Sequence, residues 1–408
     1  MLPDSVDVVI IGAGPSGTAA AAMLHQHGLK PLVLERDTFP RFVIGESLLP
    51  RCMALLDECG LLKCCLERGY LVKTGAEFLR GDERCSFSFS QQHTKGYGWT
   101  WQVQRDDFDK TLADAVEAMG VPIHYRHEVV DASFGPSPVV TVRTPEGAEQ
   151  QIRTKFVIDA SGYGRVLPRL LDLDTPSHLP VRHSLFTWVD NDEREPGELG
   201  GRTWVAMHPG GAWIWVIPFA DGRTSVGIVA EPKFFETWPT DPTERFSAII
   251  ASEPNVAHRL RHADVAFAPV LIEGYSVGVK QLFGPGWCLV GNTTEFLDPV
   301  FSSGITLAFE SAVAAAKVVA CELEGQEVDW QTEYADHLMA GVDCFRTYVD
   351  AWYSGDLPAV FFAPDPPTNV QAQVCSVLAG QAWDRSNPFV SRHATKLPQL
   401  VRLVGGAP

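Results

Sequence analysis

The sequence is short of positive charge and of long apolar runs. Among its 408 residues, 33 are Lys or Arg and 50 are Asp or Glu, which gives a net charge of −17. This balance argues against nucleic acid and anionic membrane as partners, because both need a positively charged protein face. No run of about 18 consecutive apolar residues occurs, so no membrane-spanning helix is expected. The first residues carry no basic segment ahead of an apolar run, so no secretory signal is expected.

Paired cysteine motifs are also absent. The sequence has nine Cys residues, and no two of them form a CxxC spacing. The adjacent pair Cys64-Cys65 cannot provide a tetrahedral metal site alone. We interpret His124 and His127 as solvated or core residues. The sequence therefore predicts reduced thiols, a cytoplasmic location and no metal centre.

The remaining composition is that of an ordinary globular protein. Apolar residues make up 45% of the chain and charged residues 20%, as in soluble globular proteins. The length predicts either two domains or one large, elaborated domain. The sequence contains no internal repeat and no low-complexity tract.

A glycine motif follows the first predicted strand. Residues 7–11 are mainly apolar and predict a buried strand, residues 12–17 read GAGPSG, and the alanine-rich residues 18–26 predict a helix. This strand–turn–helix context is what a dinucleotide-binding glycine motif requires. The motif would place a pyrophosphate at the positive N-terminus of the helix. The sequence therefore predicts a dinucleotide-binding domain.

Each glycine of the motif has a separate task. Gly12 permits the tight turn, Gly14 lets the backbone approach the pyrophosphate, and Gly17 lets the helix pack closely on the strand. A second predicted strand, residues 31–34, ends at Glu35, which is placed to bind a ribose hydroxyl. The motif alone does not choose between NAD and FAD.

A second informative motif lies in the middle of the chain. Residues 213–218 read WIWVIP. Trp213 and Trp215 point to the same face if the segment is extended, and Pro218 ends the run. Taken alone, the segment is typical of an aromatic strand edge. Together with the glycine motif, it resembles the WxWxIP motif of the flavin-dependent halogenases, which separates them from the flavin monooxygenases that they otherwise resemble.

The resemblance continues from about residue 6 to residue 355. Residues 36–50 look like the loop that these enzymes wrap around the flavin. Residues 104–112, QRDDFDKTL, are similar to the helix start of FAD hydroxylases in which an arginine contacts the cofactor. Position 292 is Asn where the family usually has Asp, so it lacks the charge. The resemblance implies that FAD is bound by Arg36, Arg41, Glu46, Ser47, Arg105, Asn292 and Asp298, in addition to the three glycines and Glu35.

Three features resemble the halogenating machinery of the family. The resemblance implies that Lys73 is the catalytic lysine, which either becomes a chloramine or polarises hypohalous acid through its ammonium group. It implies that backbone N–H groups at Ser303 and Gly304 hold chloride or bromide, although plain N-capping by a serine explains the same residues. The tryptophan pair would lie beside the flavin and keep the organic substrate away from it. Phe301 stands where tryptophan halogenases usually carry a glutamate, which favours the phenol and pyrrole branch.

The implied fold is α/β with two domains. We expect an FAD-binding, Rossmann-like domain over residues 1–325, interrupted at about residues 176–280 by an antiparallel substrate sheet. A helical C-terminal region would follow over residues 326–408. An Asp-Gly turn signal at residues 221–222 supports paired strands in the insertion. Residues 364–367, PDPP, look like a linker into a short final segment.

The implied function is that of a flavin-dependent halogenase. Reduced FAD from a separate reductase, oxygen, and chloride or bromide would form hypohalous acid. This acid would halogenate an electron-rich phenol or pyrrole, free or tethered to a carrier protein. Residues 257–262, AHRLRH, are the densest basic candidate for docking an acidic carrier, with a solvated helix end as the other interpretation. Three alternatives stay open: an aromatic monooxygenase, a prenyl-lipid reductase and an inactive flavin-binding homologue.

Overall fold

The computed structural model describes residues 2–135, 137–364 and 367–404. Within these residues the strands, in chain order, are β1 (Ser5–Ile11), β2 (Pro31–Glu35), β3 (Leu71–Lys73), β4 (Gly75–Arg80), β5 (Glu83–Ser88), β6 (Thr100–Gln102), β7 (Ile123–Tyr125), β8 (Glu128–Ser133), β9 (Val139–Arg143), β10 (Glu149–Asp159), β11 (Asp174–Pro176), β12 (His183–Asp190), β13 (Thr203–Met207), β14 (Trp213–Pro218), β15 (Thr224–Ala230), β16 (Asp264–Val265), β17 (Val270–Glu273), β18 (Val277–Val279), β19 (Phe283–Gly284) and β20 (Trp287–Leu289). The α-helices are α1 (Pro15–Gln26), α2 (Pro50–Glu58), α3 (Leu62–Leu66), α4 (Arg105–Ala118), α5 (Val166–Leu170), α6 (Pro232–Glu236), α7 (Pro242–Ser252), α8 (Pro254–Arg259), α9 (Ser303–Leu323), α10 (His337–Tyr353), α11 (Asp356–Phe361), α12 (Thr368–Leu378), α13 (Pro388–Ser391) and α14 (His393–Leu403).

The first sheet contains the predicted dinucleotide-binding strands. Five of its strands run parallel in the order β20-β10-β1-β2-β7. Val8, Val9 and Ile10 of β1 are completely buried, as expected for a parallel strand that is covered on both faces. Helix α1 begins at Pro15, where a missing N–H costs nothing, and its buried alanines at positions 19–22 let it pack closely against α9. The predicted α/β fold with a Rossmann-like first half is confirmed.

The second sheet carries the tryptophan motif. Its strand order is β16-β12-β15-β14-β13-β4-β5, and β17 also pairs with β12. The predicted insertion at about residues 176–280 supplies six of these eight strands, and residues 75–88 supply β4 and β5. The predicted boundaries therefore miss two strands, and the sheet is not purely antiparallel, because β4 runs parallel to β13. Without β4, the edge of β13 would leave backbone N–H and C=O groups unpaired.

The C-terminal helices share a core with the first sheet. Phe345, Leu378 and Leu400 belong to the same buried cluster as Val8. The predicted division at residue 325 is therefore not a boundary between two separate cores. The predicted linker at residues 364–367 lies partly outside the described residues, because positions 365 and 366 fall in a gap.

Helix α9 is long and apolar enough to cross a membrane by length and composition, although it is interrupted by polar residues. It has 21 residues, and 78% of its most apolar stretch is buried inside the protein. It packs against α1, α2 and α10. We therefore interpret α9 as a core helix. The turn at its N-terminus lies in the wall of the main cavity of the protein.

Candidate active site

A cavity of about 1180 Å³ lies at the carboxyl ends of β1 and β2. Its wall includes the glycine turn, the loop that follows β2, and the segment after β10. Ligands of α/β sheets bind at this end of the parallel strands. The cavity exceeds the range of about 300–1,000 Å³ that is common for small-molecule pockets, so a dinucleotide is an appropriate occupant by size.

The glycine turn leaves room for a close approach. Gly12 has a φ of +99°, and a Cβ there would lie 2.7 Å from the carbonyl oxygen of Ala160. A Cβ on Gly17 would overlap the carbonyl oxygen of Gly12. At Gly14 an added Cβ would lie 3.5 Å from Arg41 Nη2, which is ordinary contact, so the protein itself leaves the space over this residue open. This geometry fits a pyrophosphate over Gly14 at the N-terminus of α1.

Glu35 and Arg41 lie in the wall beside this turn. The buried Glu35 carboxylate accepts hydrogen bonds from the backbone N–H groups of Ala13 (2.8 Å) and Asp37 (2.9 Å), so it also shapes the turn. Arg41 Nη2 lies 3.9 Å from Glu35 Oε2. Among the described residues, Arg41 Nε is buried and has no hydrogen-bond partner. Arg36 also lines the cavity, but it is exposed and pairs with Asp37 at 3.4 Å.

The loop of residues 39–47 is fastened on both sides of the cavity. Arg105, the first residue of α4, donates to the carbonyl of Ile44 (2.9 Å) and to the carboxylate of Asp109 (2.7 Å). On the other side, Glu46 Oε1 accepts a hydrogen bond from Trp188 Nε1 at 2.7 Å. Arg105 and Glu46 both face the cavity. They therefore position the loop as well as being placed for the predicted cofactor contacts.

Asn292 and Asp298 have different positions. Asn292 lines the cavity, and its backbone carbonyl accepts from Arg165 Nη1 at 2.9 Å. Asp298 does not line the cavity. Its buried carboxylate accepts from the hydroxyl of Tyr353 (2.8 Å) and the backbone N–H of Val300 (3.0 Å), and burial raises its pKa to about 6. The structure thus places the Asp298 carboxylate against the turn that precedes α9, and its contact with the cofactor stays a prediction.

The predicted halide turn begins α9. Ser302 adopts a left-handed conformation with a φ of +56°, and both Ser302 and Gly304 line the cavity. Ser303 is the first helical residue; it is buried and does not line the cavity. The first N–H groups of a helix have no partner within the helix. A halide at this turn would therefore be held by backbone N–H groups, and Ser302 and Gly304 are the residues of the turn that contribute to the cavity wall.

The tryptophan pair lies in the cavity wall. Trp213 and Trp215 are 3% and 5% exposed, and their ring centres are 6.0 Å apart. Trp213 Nε1 donates to the hydroxyl of Tyr353 (2.9 Å), and Trp215 Nε1 donates to Ser225 Oγ (3.1 Å). Pro218 ends the strand and is buried, but it does not line the cavity. The extended segment thus aims both indoles at the cavity, as predicted from their spacing.

Lys73 is the last residue of β3 and is only 2% exposed. Its Nζ donates to Ser47 Oγ at 2.7 Å and to the carbonyl of Leu48 at 3.0 Å. Burial lowers the pKa of this amine to about 7, against a smaller opposing effect of Cys52. Near neutral pH, Lys73 therefore exists as both amine and ammonium, which is unusual for a lysine.

Lys73 lies in a second, small cavity that adjoins the first. The two cavities share wall residues, namely Thr203, Val205, Val300 and Ser302. The small cavity measures about 20 Å³, which accommodates one water-sized molecule. Phe89 and Leu378 form part of its wall. An aromatic substrate would need some of these side chains to move before it reached Lys73.

Three residues of this region were not predicted as site residues from the sequence. Thr203 stands on a strand between the two cavities and bonds to Ser47 Oγ at 3.0 Å. Trp188 holds Glu46, and Tyr353 connects Trp213 to Asp298. Each is separated from its partner by more than a hundred residues of sequence or by a helix. The periodicity of apolar residues indicates which face of a single segment is buried, so it does not predict hydrogen bonds between residues that are distant in sequence.

The basic candidate patch at residues 257–262 is neutralised by acids. Arg259 is 1% exposed and pairs with Asp192 at 2.8 Å. Arg261 and His262 both pair with Glu193. Arg259 is therefore enclosed in a buried ion pair, whereas Arg261 stays exposed beside Glu193, and carrier docking at this patch stays a prediction.

The groups that face the large cavity suit FAD. The cavity wall combines the glycine turn at the N-terminus of α1, the polar residues Arg41 and Glu46, and the aromatic residues Trp213 and Trp215. Within the described ranges, no group of three or more His, Cys, Asp and Glu side chains converges to hold a metal ion.

Comparisons with known proteins agree with this assignment. A family model described as FAD binding domain matches residues 5–337. A flavoprotein/dehydrogenase from Cytophaga hutchinsonii, known from a crystal structure, is 46% identical to this chain. The two structures superimpose with a TM-score of 0.95, and the match covers 98% of each chain. The chain belongs to the FAD-binding domain family, and the curated proteins to which it is similar include flavin-dependent halogenases.

Two halogenases are also similar to the chain. The 1H-pyrrole-2-carbonyl-(peptidyl-carrier protein) chlorinase of Pseudomonas fluorescens is 26% identical over 403 residues, which cover 92% of this chain and 89% of the relative. A myxobacterial chondrochloren halogenase of known structure is 27% identical to the chain, with a TM-score of 0.78 and a match that covers 98% of both chains. The cofactor is therefore FAD, and the protein is an oxidoreductase of this family.

Proposed function

We propose that this protein uses reduced FAD, oxygen and chloride or bromide to form hypohalous acid, and that Lys73 delivers the halogen to an electron-rich phenol or pyrrole. The observation that carries the proposal is the burial of the Lys73 amine in a water-sized cavity that adjoins the flavin cavity at Ser302. Hypohalous acid that forms in the flavin cavity would therefore reach the Lys73 amine before it escapes into bulk water. The tryptophan pair stands in the wall of the flavin cavity, where it excludes an aromatic substrate.

Bound reduced FAD supplies the electrons that activate oxygen. The chain contributes the anion cradle at the start of α9 and a positioned nitrogen at Lys73. If the amine reacts, its nitrogen takes the halogen from hypohalous acid, one N–H proton leaves, and water is released. If the ammonium acts, it donates a hydrogen bond to the oxygen of hypohalous acid and withdraws charge as the carbon–halogen bond forms.

The relatives and Phe301 both favour a phenol or pyrrole as the substrate. A pyrrole-carrier-protein chlorinase is among the similar proteins, which supports a pyrrole or phenol that is free or tethered to a carrier protein. A separate reductase would supply the reduced FAD, since the sequence has no second GxGxxG motif. We place the enzyme in the cytoplasm because all nine cysteines are free thiols, which is usual for a reducing compartment.

Product analysis tests the proposal against the alternatives. The enzyme is incubated with reduced FAD, oxygen and a panel of phenols and pyrrolyl thioesters, with and without bromide, and the products are analysed by mass spectrometry. Halogenated products that require bromide support the proposal. Hydroxylated products without halide would identify an aromatic monooxygenase, and a dehydrogenated substrate would favour the activity named for the Cytophaga relative. A prenyl lipid is tested in the same way, and its reduction would identify a prenyl-lipid reductase. If no substrate is converted, the protein is an inactive homologue.

The pH dependence of halogenation distinguishes the two roles of Lys73. Because the pKa of Lys73 is lowered to about 7 by burial, the neutral amine gains population as pH rises through 7. A chloramine mechanism therefore predicts a rate that rises with pH and levels off above 7, whereas hydrogen bonding by the ammonium predicts a rate that falls above 7. Single-turnover halogenation rates at saturating halide measure this profile. A rate that is flat across neutral pH would show that ionisation of Lys73 in this range does not control halogenation.

The halide cradle predicts opposite behaviour for two variants of one residue. Ser303→Ala retains the backbone N–H and should leave the halide requirement unchanged. Ser303→Pro removes that N–H and also disfavours the left-handed conformation of Ser302, so the halide KM should rise by at least about tenfold, as for a lost charge-assisted hydrogen bond. Oxidation of reduced FAD should continue and release peroxide. Equal halide KM values in the two variants would place the halide elsewhere.

A further inference from the structure

The nitrogen of Lys73 is held by two acceptors inside the protein. Nζ donates to the hydroxyl oxygen of Ser47 at 2.7 Å and to the backbone carbonyl of Leu48 at 3.0 Å. A neutral primary amine has two N–H bonds and one lone pair. When both N–H bonds are donated to these acceptors, the lone pair occupies the one direction around the nitrogen that remains.

The remaining direction serves both roles considered for Lys73. In the ammonium form a third N–H bond stands where the neutral amine has its lone pair. In the chloramine role the lone pair takes the halogen from hypohalous acid, the oxygen–halogen bond breaks, and one N–H proton joins the departing hydroxide to form water. In the ammonium role the third N–H donates to the oxygen of hypohalous acid. Fixing the other two N–H bonds therefore aims the reactive position of the nitrogen.

The hydroxyl of Ser47 is itself held from its other side. Ser47 Oγ lies 3.0 Å from Thr203 Oγ1. Gln102 Nε2 donates to Thr203 Oγ1 at 2.8 Å and to the carbonyl of Gly201 at 3.2 Å. This carbonyl can only accept, which fixes the orientation of the Gln102 amide. Ser47, Gln102 and Thr203 are all buried, so bulk water does not compete for these hydrogen bonds.

The charge of Lys73 gives the chain of hydroxyls a direction. Because the ammonium donates to Ser47, the cooperative arrangement is the one in which Ser47 donates in turn to Thr203. The opposite arrangement would bring a second positive hydrogen to the oxygen that faces the ammonium. The hydroxyl of Thr203 therefore makes Ser47 a better acceptor and holds its oxygen in place.

We propose that Thr203 is a positioning residue for Lys73. Acting through Ser47, Thr203 fixes one N–H bond of the amine and, together with the bond to Leu48, leaves the third direction of the nitrogen free for hypohalous acid. The role in halogen transfer rests on the proposed function. The hydrogen-bond chain is measured without halogenation, so a protein that halogenates nothing would contradict the proposed function and still allow the test of Thr203.

Nuclear magnetic resonance measures the chain through the ionisation of Lys73. Burial lowers the pKa of this amine, and Cys52 on α2 is a titratable group that raises it. The titration of the Lys73 Cε signal is followed in FAD-loaded protein with isotopically labelled lysine, and Lys73→Met identifies the signal. Because Ser47 accepts from the ammonium, Ser47→Ala should lower the pKa of Lys73 and raise its acid dissociation constant by at least about threefold.

Thr203→Val has nearly the same shape as the wild-type residue but lacks the hydroxyl. It should raise the dissociation constant of Lys73 by about twofold and should add nothing when combined with Ser47→Ala, because Thr203 acts only through Ser47. Thr203→Ser retains the hydroxyl and should titrate as wild type. Thr187→Val is the matched control, since Thr187 is completely buried on β12 of the same sheet and donates to the carbonyl of Phe267 at 2.6 Å.

The halogenation rate provides a second readout. At the plateau of the pH–rate profile, Thr203→Val should lower the single-turnover rate by about tenfold and leave the halide KM and the FAD dissociation constant unchanged, because only the aim of the amine changes. Thr203→Ser should restore most of the rate. If Thr203→Val does not fold, Thr203→Ala removes the same hydroxyl and is compared in the same way. An unchanged pKa of Lys73 in Ser47→Ala or in the Thr203 variant, or an undiminished Thr203 effect in the Ser47→Ala background, would overturn the inference.

Discussion

Lys73→Ala is expected to abolish halogenation while FAD still binds. The amine is the only part of Lys73 that the proposal uses, and its partners Ser47 and Leu48 retain other contacts, Ser47 Oγ with Thr203 among them. A positioned acid–base group contributes about 100-fold to 10,000-fold to a rate, so halogenation should fall by at least about 100-fold. Product formation by mass spectrometry and the FAD dissociation constant are measured on the same preparation.

Variants of similar size separate chemistry from packing. Lys73→Met fills the same volume with an apolar chain and should fold at least as well, because it removes a buried amine. It should be as inactive as Lys73→Ala. Lys73→Arg should also fail, since guanidinium does not deprotonate and has a different shape. Lys110→Ala, an exposed lysine paired with Asp114, is the control with wild-type activity. Halogenation above about a tenth of the wild-type rate in the Met variant would refute the assignment.

Replacing Trp213 and Trp215 together by alanine should eliminate halogenation. Both indoles stand in the wall of the flavin cavity. Their loss would therefore remove the barrier that keeps the substrate from the flavin. Each truncation also costs about 3–5 kcal/mol of folding free energy. Hydroxylation would appear only if the substrate then reached the flavin in a reactive geometry, so its absence would carry no weight. Thermal unfolding and halogenation are measured on both single variants and on the double variant.

Ile214 provides a matched control for stability. It lies between the two tryptophans but faces the other core cluster, where it is completely buried. Ile214→Ala should cost about 2–5 kcal/mol, close to the cost of one indole, without changing the cavity. Halogenation by the folded fraction of Ile214→Ala should therefore persist. If the tryptophan variants fold, bind FAD and halogenate at an undiminished rate, the barrier role is wrong.

A smaller change tests the position of one indole. On β15, Gly227 pairs with Trp215, and a Cβ on Gly227 would overlap the indole. Gly227→Ala should therefore displace Trp215 without removing it, at a cost of about 1–3 kcal/mol. Halogenation should fall although both tryptophans are present, which separates the placement of the indole from its hydrophobic bulk.

The sequence by itself determined the strand–glycine–helix unit and the shared face of Trp213 and Trp215, because each depends on a short segment. The FAD-type fold was implied by the resemblance to a family, which extends over most of the chain. Buried strands, tight glycine turns and the alternation of side chains along β14 are consequences of local backbone geometry. The tertiary structure alone decided which distant segments meet. It added β4 and β5 to the second sheet, turned Asp298 toward Tyr353, and neutralised Arg259 with Asp192. It also enclosed Lys73 and Glu46, whose altered acidity comes from removal from water. Burial is a property of the packed chain, so no local pattern reports it for a single charged side chain.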